Sequence, residues 1–223
     1  STYKKQTILR IEHVIGGMDD PLAWLRAQQQ PTELIMDAVY LNFVGETNNN
    51  DTIEVACLGS AMSLTDTNQV WNIHLPQNAV WYGGERFDSN TTTTSPEWKA
   101  FGTASFWNLP MVELKRHNSI TTLAVHVVVN PTTLSVRDVF DVLSKVSCRI
   151  VPNNTPPTNL PPIVSRDAGR NGQETYEEAV EAALSNQESL DKIVLARQQF
   201  LAFATKPNIL HVLARWKYGG HEG

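Results

Sequence analysis

Residues 121–129, TTLAVHVVV, are dominated by threonine and valine, whose branched Cβ atoms crowd a helix and pack well on a pleated sheet. Two runs of the same character precede them, YLNFV at 40–44 and TIEVACL at 52–58. Turn chemistry separates these runs at Asn48-Asn49-Asn50-Asp51, Gly83-Gly84 and Asn130-Pro131. Short β-type runs spaced this way predict a mainly antiparallel sheet over residues 1–150, with few helices. Gly83-Gly84 belongs to no phosphate-binding glycine pattern and is expected to form a tight hairpin turn. One helix is predicted at 20–27, where Asp20 can cap and Pro21 suits the first helical position. A second is predicted at 135–143, with Val136, Val139, Phe140 and Leu143 on one face.

Over residues 151–172 the composition shifts to proline, asparagine, threonine and glycine, as in VPNNTPPTNLPP. So polar and proline-broken a stretch reads as an exposed linker between a β-rich lobe, 1–150, and a second lobe, 173–223. The second lobe opens with ETYEEAVEAALSNQESL, whose apolar residues keep helical spacing and whose Thr175 and Glu178 fit a capping box. A β run follows over 191–203, and PNILHVLARWKY then offers Ile209, Leu210, Val212, Leu213 and Trp216 as an amphipathic helix. No later strand is available to pair with 192–203, so this lobe reads as incomplete. The fold class expected is therefore α+β, a large mainly antiparallel β-sheet or sandwich with flanking helices.

Across 223 residues, 41% hydrophobic and 18% charged, the composition is that of a globular protein. A net charge of -5, with no cluster of lysine and arginine, argues against a nucleic-acid partner. No apolar run is long enough to span a bilayer, which predicts a soluble protein with no membrane partner. Cys57 and Cys148 are far apart and suggest buried apolar residues rather than a disulfide or zinc site. The histidines lack metal-ligand spacing, and Glu85, Glu97 and Glu113 show no spacing that compels a metal pair; they read as surface or capping residues. The aromatic set Trp81, Phe87, Trp98, Phe101, Phe106 and Trp107 reads as core of the first lobe.

One charge stands out. Lys192 lies at the mouth of the apolar run Ile193-Val194-Leu195-Ala196, where strand parity places it on one face with Val194 and Ala196, opposite Ile193, Leu195 and Arg197. Read from the residues alone, it is a lysine extending its head to water or pairing with Asp191 or Glu188, and Arg197 is a structural pairing residue.

Two blocks change the weight of that lysine. WYGGERFDSNTTTTSPEWKAFGTASFWNLPMVEL, residues 81–114, and YEEAVEAAL followed by LDKIVLAR resemble the isochorismate synthase family of chorismate-utilising enzymes, the menaquinone and phylloquinone branch in particular. The resemblance covers roughly residues 80–217, and it implies the α+β fold of that family, with chorismate as substrate and Mg²⁺ as cofactor. It makes Lys192 the general base that activates water for attack at C2 of chorismate while the C4 hydroxyl leaves. Such a base must be neutral, and partial burial beside Val194 and Ala196 would favour the neutral form over that of an exposed lysine, with its pKa of about 10.4. The family's general acid, metal ligands and carboxylate-holding residues have no counterpart here. They are expected beyond Gly223, which leaves the substrate-binding residues unknown and no metal ligands within this chain. The expected activity is that of the amino-terminal portion of an isochorismate synthase, cytoplasmic, or plastid-located in a photosynthetic eukaryote. Two alternatives stay open: a salicylate synthase, and a non-catalytic module fused to further quinone-pathway domains.

Overall fold

The computed structural model describes residues 7–16, 20–28, 38–44, 52–86, 105–129, 160–167, 173–185, 194 and 199–219. The helix expected at 135–143 lies outside them, as do Cys148, Glu97, Phe87, Trp98 and Phe101. The chain divides into two compact units, Ser1–Asn154 and Thr155–Gly223.

The first unit is built on six antiparallel strands: β1 (Thr7–Ile15), β2 (Val39–Val44), β3 (Thr52–Leu64), β4 (Tyr82–Glu85), β5 (Ser105–His117) and β6 (Ile120–Val129). They run in the order β1-β6-β5-β3-β2, with β4 paired to β5 beside the end of β6. The three runs predicted from the sequence are all strands, β2, β3 and β6, and β3 extends beyond its prediction to Leu64. A two-residue turn joins β5 to β6, and its first residue, Asn118, has φ 54°, a left-handed backbone that asparagine tolerates. The Asn118 side chain also accepts from the Thr52 amide, tying the turn to the start of β3.

β5 is the centre of the sheet, although its sequence, SFWNLPMVELKRH, carries a proline. Pro110 has no N–H to give to a ladder, and it sits opposite Ser60, where the register of β3 shifts by a bulge. Gly59, just before the bulge, has φ 63°.

The glycine pair does not form the expected hairpin turn. Gly83 and Gly84 lie within β4, paired with Trp107 and Phe106. A Cβ on Gly83 would collide with the Phe106 carbonyl oxygen, whereas one on Gly84 would meet nothing, so the strand needs the first glycine to approach β5.

Helix α1 (Pro21–Ala27) forms as predicted, its first amides capped by the Asp20 carboxylate, which accepts from Leu22 and Ala23. Leu22, Ala23, Trp24 and Leu25 are buried, and the helix packs on β3 and β5. A short helix, α2 (Thr67–Asn72), was not foreseen; Asp66 caps it by accepting from Asn68. Of the aromatic residues expected in the core, Trp81, Phe106 and Trp107 are half-buried, while Trp24 and Tyr82, outside that set, are buried.

The second unit has a two-stranded antiparallel sheet, β7 (Ile163–Asp167) with β8 (Phe200–Phe203), and helices α3 (Gln173–Ser185) and α4 (Ile209–Tyr218). β7 falls inside the stretch expected as a linker. Pro161 and Pro162 hold the chain extended there, Ile163 and Val164 favour β structure, and the Pro162 carbonyl accepts from Ala204 to close the pair. The partner of β8 thus precedes it in the chain. α3 begins at Gln173, which puts Thr175 inside its first turn rather than at the cap. α4 is capped by Asn208 and buries Leu210 and Ala214, while Ile209 and Trp216 of its predicted apolar face are 65% and 67% exposed. The architecture of the chain is α+β, a mainly antiparallel sheet with a few flanking helices.

Candidate functional site

The densest gathering of chemically capable side chains among the described residues lies on one face of the large sheet. Strand parity and register bring it together: Arg10 of β1 is opposite His126 of β6, Ala124 of β6 is opposite Glu113 of β5, and Glu113 is opposite Cys57 of β3. Glu12 lies on the same face of β1, one pleat from Arg10.

Arg10 organises the cluster. Its side chain is only 4% exposed, and its three guanidinium nitrogens each find a partner. Nε donates to Glu12 Oε2 at 2.7 Å, Nη1 to His126 Nε2 at 2.7 Å, and Nη2 to Glu113 Oε1 at 2.9 Å. Glu113 is fully buried and takes a second hydrogen bond at Oε2, from the Tyr82 hydroxyl at 2.7 Å. The His126 ring is closed on its other side, where Nδ1 lies 2.8 Å from the Pro110 carbonyl oxygen. A carbonyl only accepts, so Nδ1 carries the proton and Nε2 is the acceptor for Arg10.

The electrostatics follow from this packing. Burial lowers the His126 pKa below its ordinary value, and the Arg10 cation lowers it further, against the opposing pull of Glu113 and Glu12. Burial pushes the Tyr82 hydroxyl and the Cys57 thiol well up, with the charge of Glu113 adding to both. Cys57 is therefore a protonated core thiol rather than a nucleophile, in line with its sequence reading. The hydrogen bond from Arg10 holds Glu12 below the usual carboxylate range, and Asn78 adds a second donor to it.

On the opposite face a second buried carboxylate, Glu54, receives the Tyr40 hydroxyl at 2.6 Å and Arg116 Nη2 at 2.7 Å. It joins β2, β3 and β5. Both buried carboxylates accept from one arginine and one tyrosine, and such fully met groups position strands rather than act on a substrate.

Glu113 is thus no surface or capping residue. The signal in the sequence was its alternation with Met111 and Lys115 in a β run, together with Arg10 and Glu12 at alternate positions of β1, which put opposite charges on pleats that can meet. Glu85 is exposed, as expected.

Lys192 lies outside the described residues, as do Ala196 and Arg197. Val194, expected to help bury it, is 78% exposed and belongs to no strand, because β8 begins only at Phe200. Its five-residue partner β7 reaches no further back along β8, so no second strand covers position 194 among the described residues. No group of three or more His, Cys, Asp and Glu residues could hold a metal ion among the described residues. No helix among them is long and apolar enough to cross a membrane.

Compared with known proteins, the sequence matches the family model described as chorismate binding enzyme, over residues 3–222. None of the curated proteins matches it. Among solved structures, it is similar to MenF, the menaquinone-specific isochorismate synthase of Escherichia coli, with a TM-score of 0.55 and 20% sequence identity. The similarity covers 90% of this chain and 42% of that one, so the chain spans less than half the length of the synthase.

Proposed function

This chain belongs to the chorismate-binding enzyme family, and from that membership we propose that it is the amino-terminal portion of an isochorismate synthase acting in quinone biosynthesis. The observation that carries the reading is the family match over residues 3–222, made specific by the segment LDKIVLAR. Lys192 is the base. In its neutral form it takes a proton from water, whose oxygen adds to C2 of chorismate as the C4 hydroxyl departs as water, its proton supplied by a general acid that the resemblance implies outside the described residues. A neutral lysine requires cover from bound substrate or from surrounding protein, because in water the ammonium form prevails at neutral pH. The resemblance also implies Mg²⁺, but the described residues offer no ligand set for it, and no step is assigned to the ion.

A second reading keeps the family fold without the activity: a non-catalytic module carried beside other quinone-pathway enzymes. One experiment separates the two: the protein as encoded is incubated with chorismate and Mg²⁺, and isochorismate is measured for wild type and Lys192→Ala. Turnover lost in the variant, with unchanged circular dichroism, supports the base. Wild-type rate in Lys192→Ala overturns the role of the lysine, and no turnover in wild type supports the module.

A further inference from the structure

β1 is an edge strand that pairs with β6 alone among the described residues. Its own hold on the core is slight. Leu9, Ile11 and Val14 are exposed, and Ile8 and the Arg10 side chain are its inward anchors. Arg10 matters most, because it reaches past β6 to Glu113 on β5 and so fastens β1 to the middle of the sheet.

That anchor depends on a neutral ring. His126 Nδ1 is committed to the Pro110 carbonyl, and Nε2 offers its lone pair to Arg10 Nη1 at 2.7 Å. We propose that the Arg10–His126 pair is a proton-sensitive latch, which holds β1 on the sheet while the ring is neutral and releases it when the ring takes a proton at Nε2. A proton there turns an acceptor into a donor facing a second cation. The charged groups that act on the ring are Arg10 and Glu12 from β1 and Glu113 from β5, and Glu113 is in turn faced by Tyr82 from β4 and Cys57 from β3. Tyr82 and Cys57 are held neutral by burial. Glu12 and Glu113 could each accept from the protonated ring, but both are already engaged by Arg10. If the ring finds no carboxylate, it repels Arg10; if it takes one, it displaces Arg10 from it. Either way the guanidinium loses its seat and β1 its anchor.

The direction with pH follows from linkage. The folded state holds the ring neutral, whereas the His126 ring freed of Arg10 and open to water binds a proton near pH 6.5, so the contribution of the latch is complete above that pH and fades as pH falls below it. A single proton sets the limit at about tenfold per pH unit in the opening equilibrium.

Native-state hydrogen exchange of the protein between pH 7.5 and 5.5, corrected for intrinsic exchange rates, tests this. Protection of the β1 amides should fall by up to about tenfold per pH unit below pH 6.5 while that of β3 stays level, and His126→Gln should remove the pH dependence. His13→Gln, on the same strand but exposed, should leave it intact. A β1 protection that ignores pH in wild type, or a dependence that survives in His126→Gln, overturns the proposal. Should His126→Gln fail to fold, the NMR signals of the His126 ring in wild type decide: a ring that stays neutral down to pH 5.5 while β1 protection falls supports the latch, and a ring that takes its proton in that range with β1 still protected overturns it.

Discussion

Replacing Arg10 by methionine should cost about 3–5 kcal/mol of folding stability, the range for removing one partner of a buried ion pair. The structure sets why the cost sits there. The Arg10 side chain is 4% exposed and that of Glu113 1%, so water cannot replace the lost guanidinium. Methionine keeps the aliphatic stem but leaves Glu113 with the Tyr82 hydroxyl as its remaining partner in the cluster and His126 Nε2 with no donor. A domain of this size is stable by about 5–15 kcal/mol, so the loss is large enough to read in urea unfolding followed by circular dichroism at pH 7.5. The pairing of Arg10 with Glu113 is isolated by adding Glu113→Gln. The amide keeps an acceptor for Tyr82 and carries no charge to strand, and the double variant should recover at least about 1 kcal/mol relative to the sum of the single ones. A loss in Arg10→Met below about 1 kcal/mol, or strict additivity in the cycle, would refute the reasoning, because the carboxylate would then be solvated or otherwise paired.

Further substitutions probe the sheet and its first helix. Gly83→Ala should destabilise the first unit by about 1–3 kcal/mol or more, since its Cβ has no room against the Phe106 carbonyl, whereas Gly84→Ala should change stability by less than about 1 kcal/mol; thermal unfolding of the two variants side by side reads the difference. Asp20→Ala removes the acceptor for the Leu22 and Ala23 amides and should cost about 1 kcal/mol, most of it restored in Asp20→Ser, as measured by urea midpoints.

The runs of branched residues at β2, β3 and β6 and the Asp20-Pro21 start of α1 were legible because their signals are local. β5 was not, because Asn108 and Pro110 look like breakers until the bulge at Ser60 in its neighbour explains how a central strand accommodates a proline. Gly83-Gly84 misled for the opposite reason: the residues suit a turn, and only the Phe106 carbonyl across the pair shows that the glycine serves a close approach. Glu113 could not be recognised as buried without Arg10, which lies more than a hundred residues away in the chain and meets it only through β-sheet register. The burial assumed for Lys192 from strand parity has no counterpart at Val194, because parity gives the face of a strand but not whether another layer covers it.

The contrast between the two units bears on where chemistry can reside. Among the described residues of the first unit, the buried charges of Arg10, Glu113 and Glu54 meet opposite ones: Arg10 faces Glu12 and Glu113, and Glu54 faces Arg116. A base for water activation needs an unshared lone pair beside the substrate, and His126 Nε2, the buried candidate on this sheet, is spent on Arg10. Freeing it would release an edge strand, so the same bond that makes the sheet stable disqualifies the ring as a catalyst. The second unit has the reverse character. Ile163, Val164, Phe200 and Leu201 of its small sheet are exposed, and Ile209 and Trp216 of α4 are too. Two strands with open apolar faces are marginal by themselves, and covering those faces would lower the dielectric around the β8 segment.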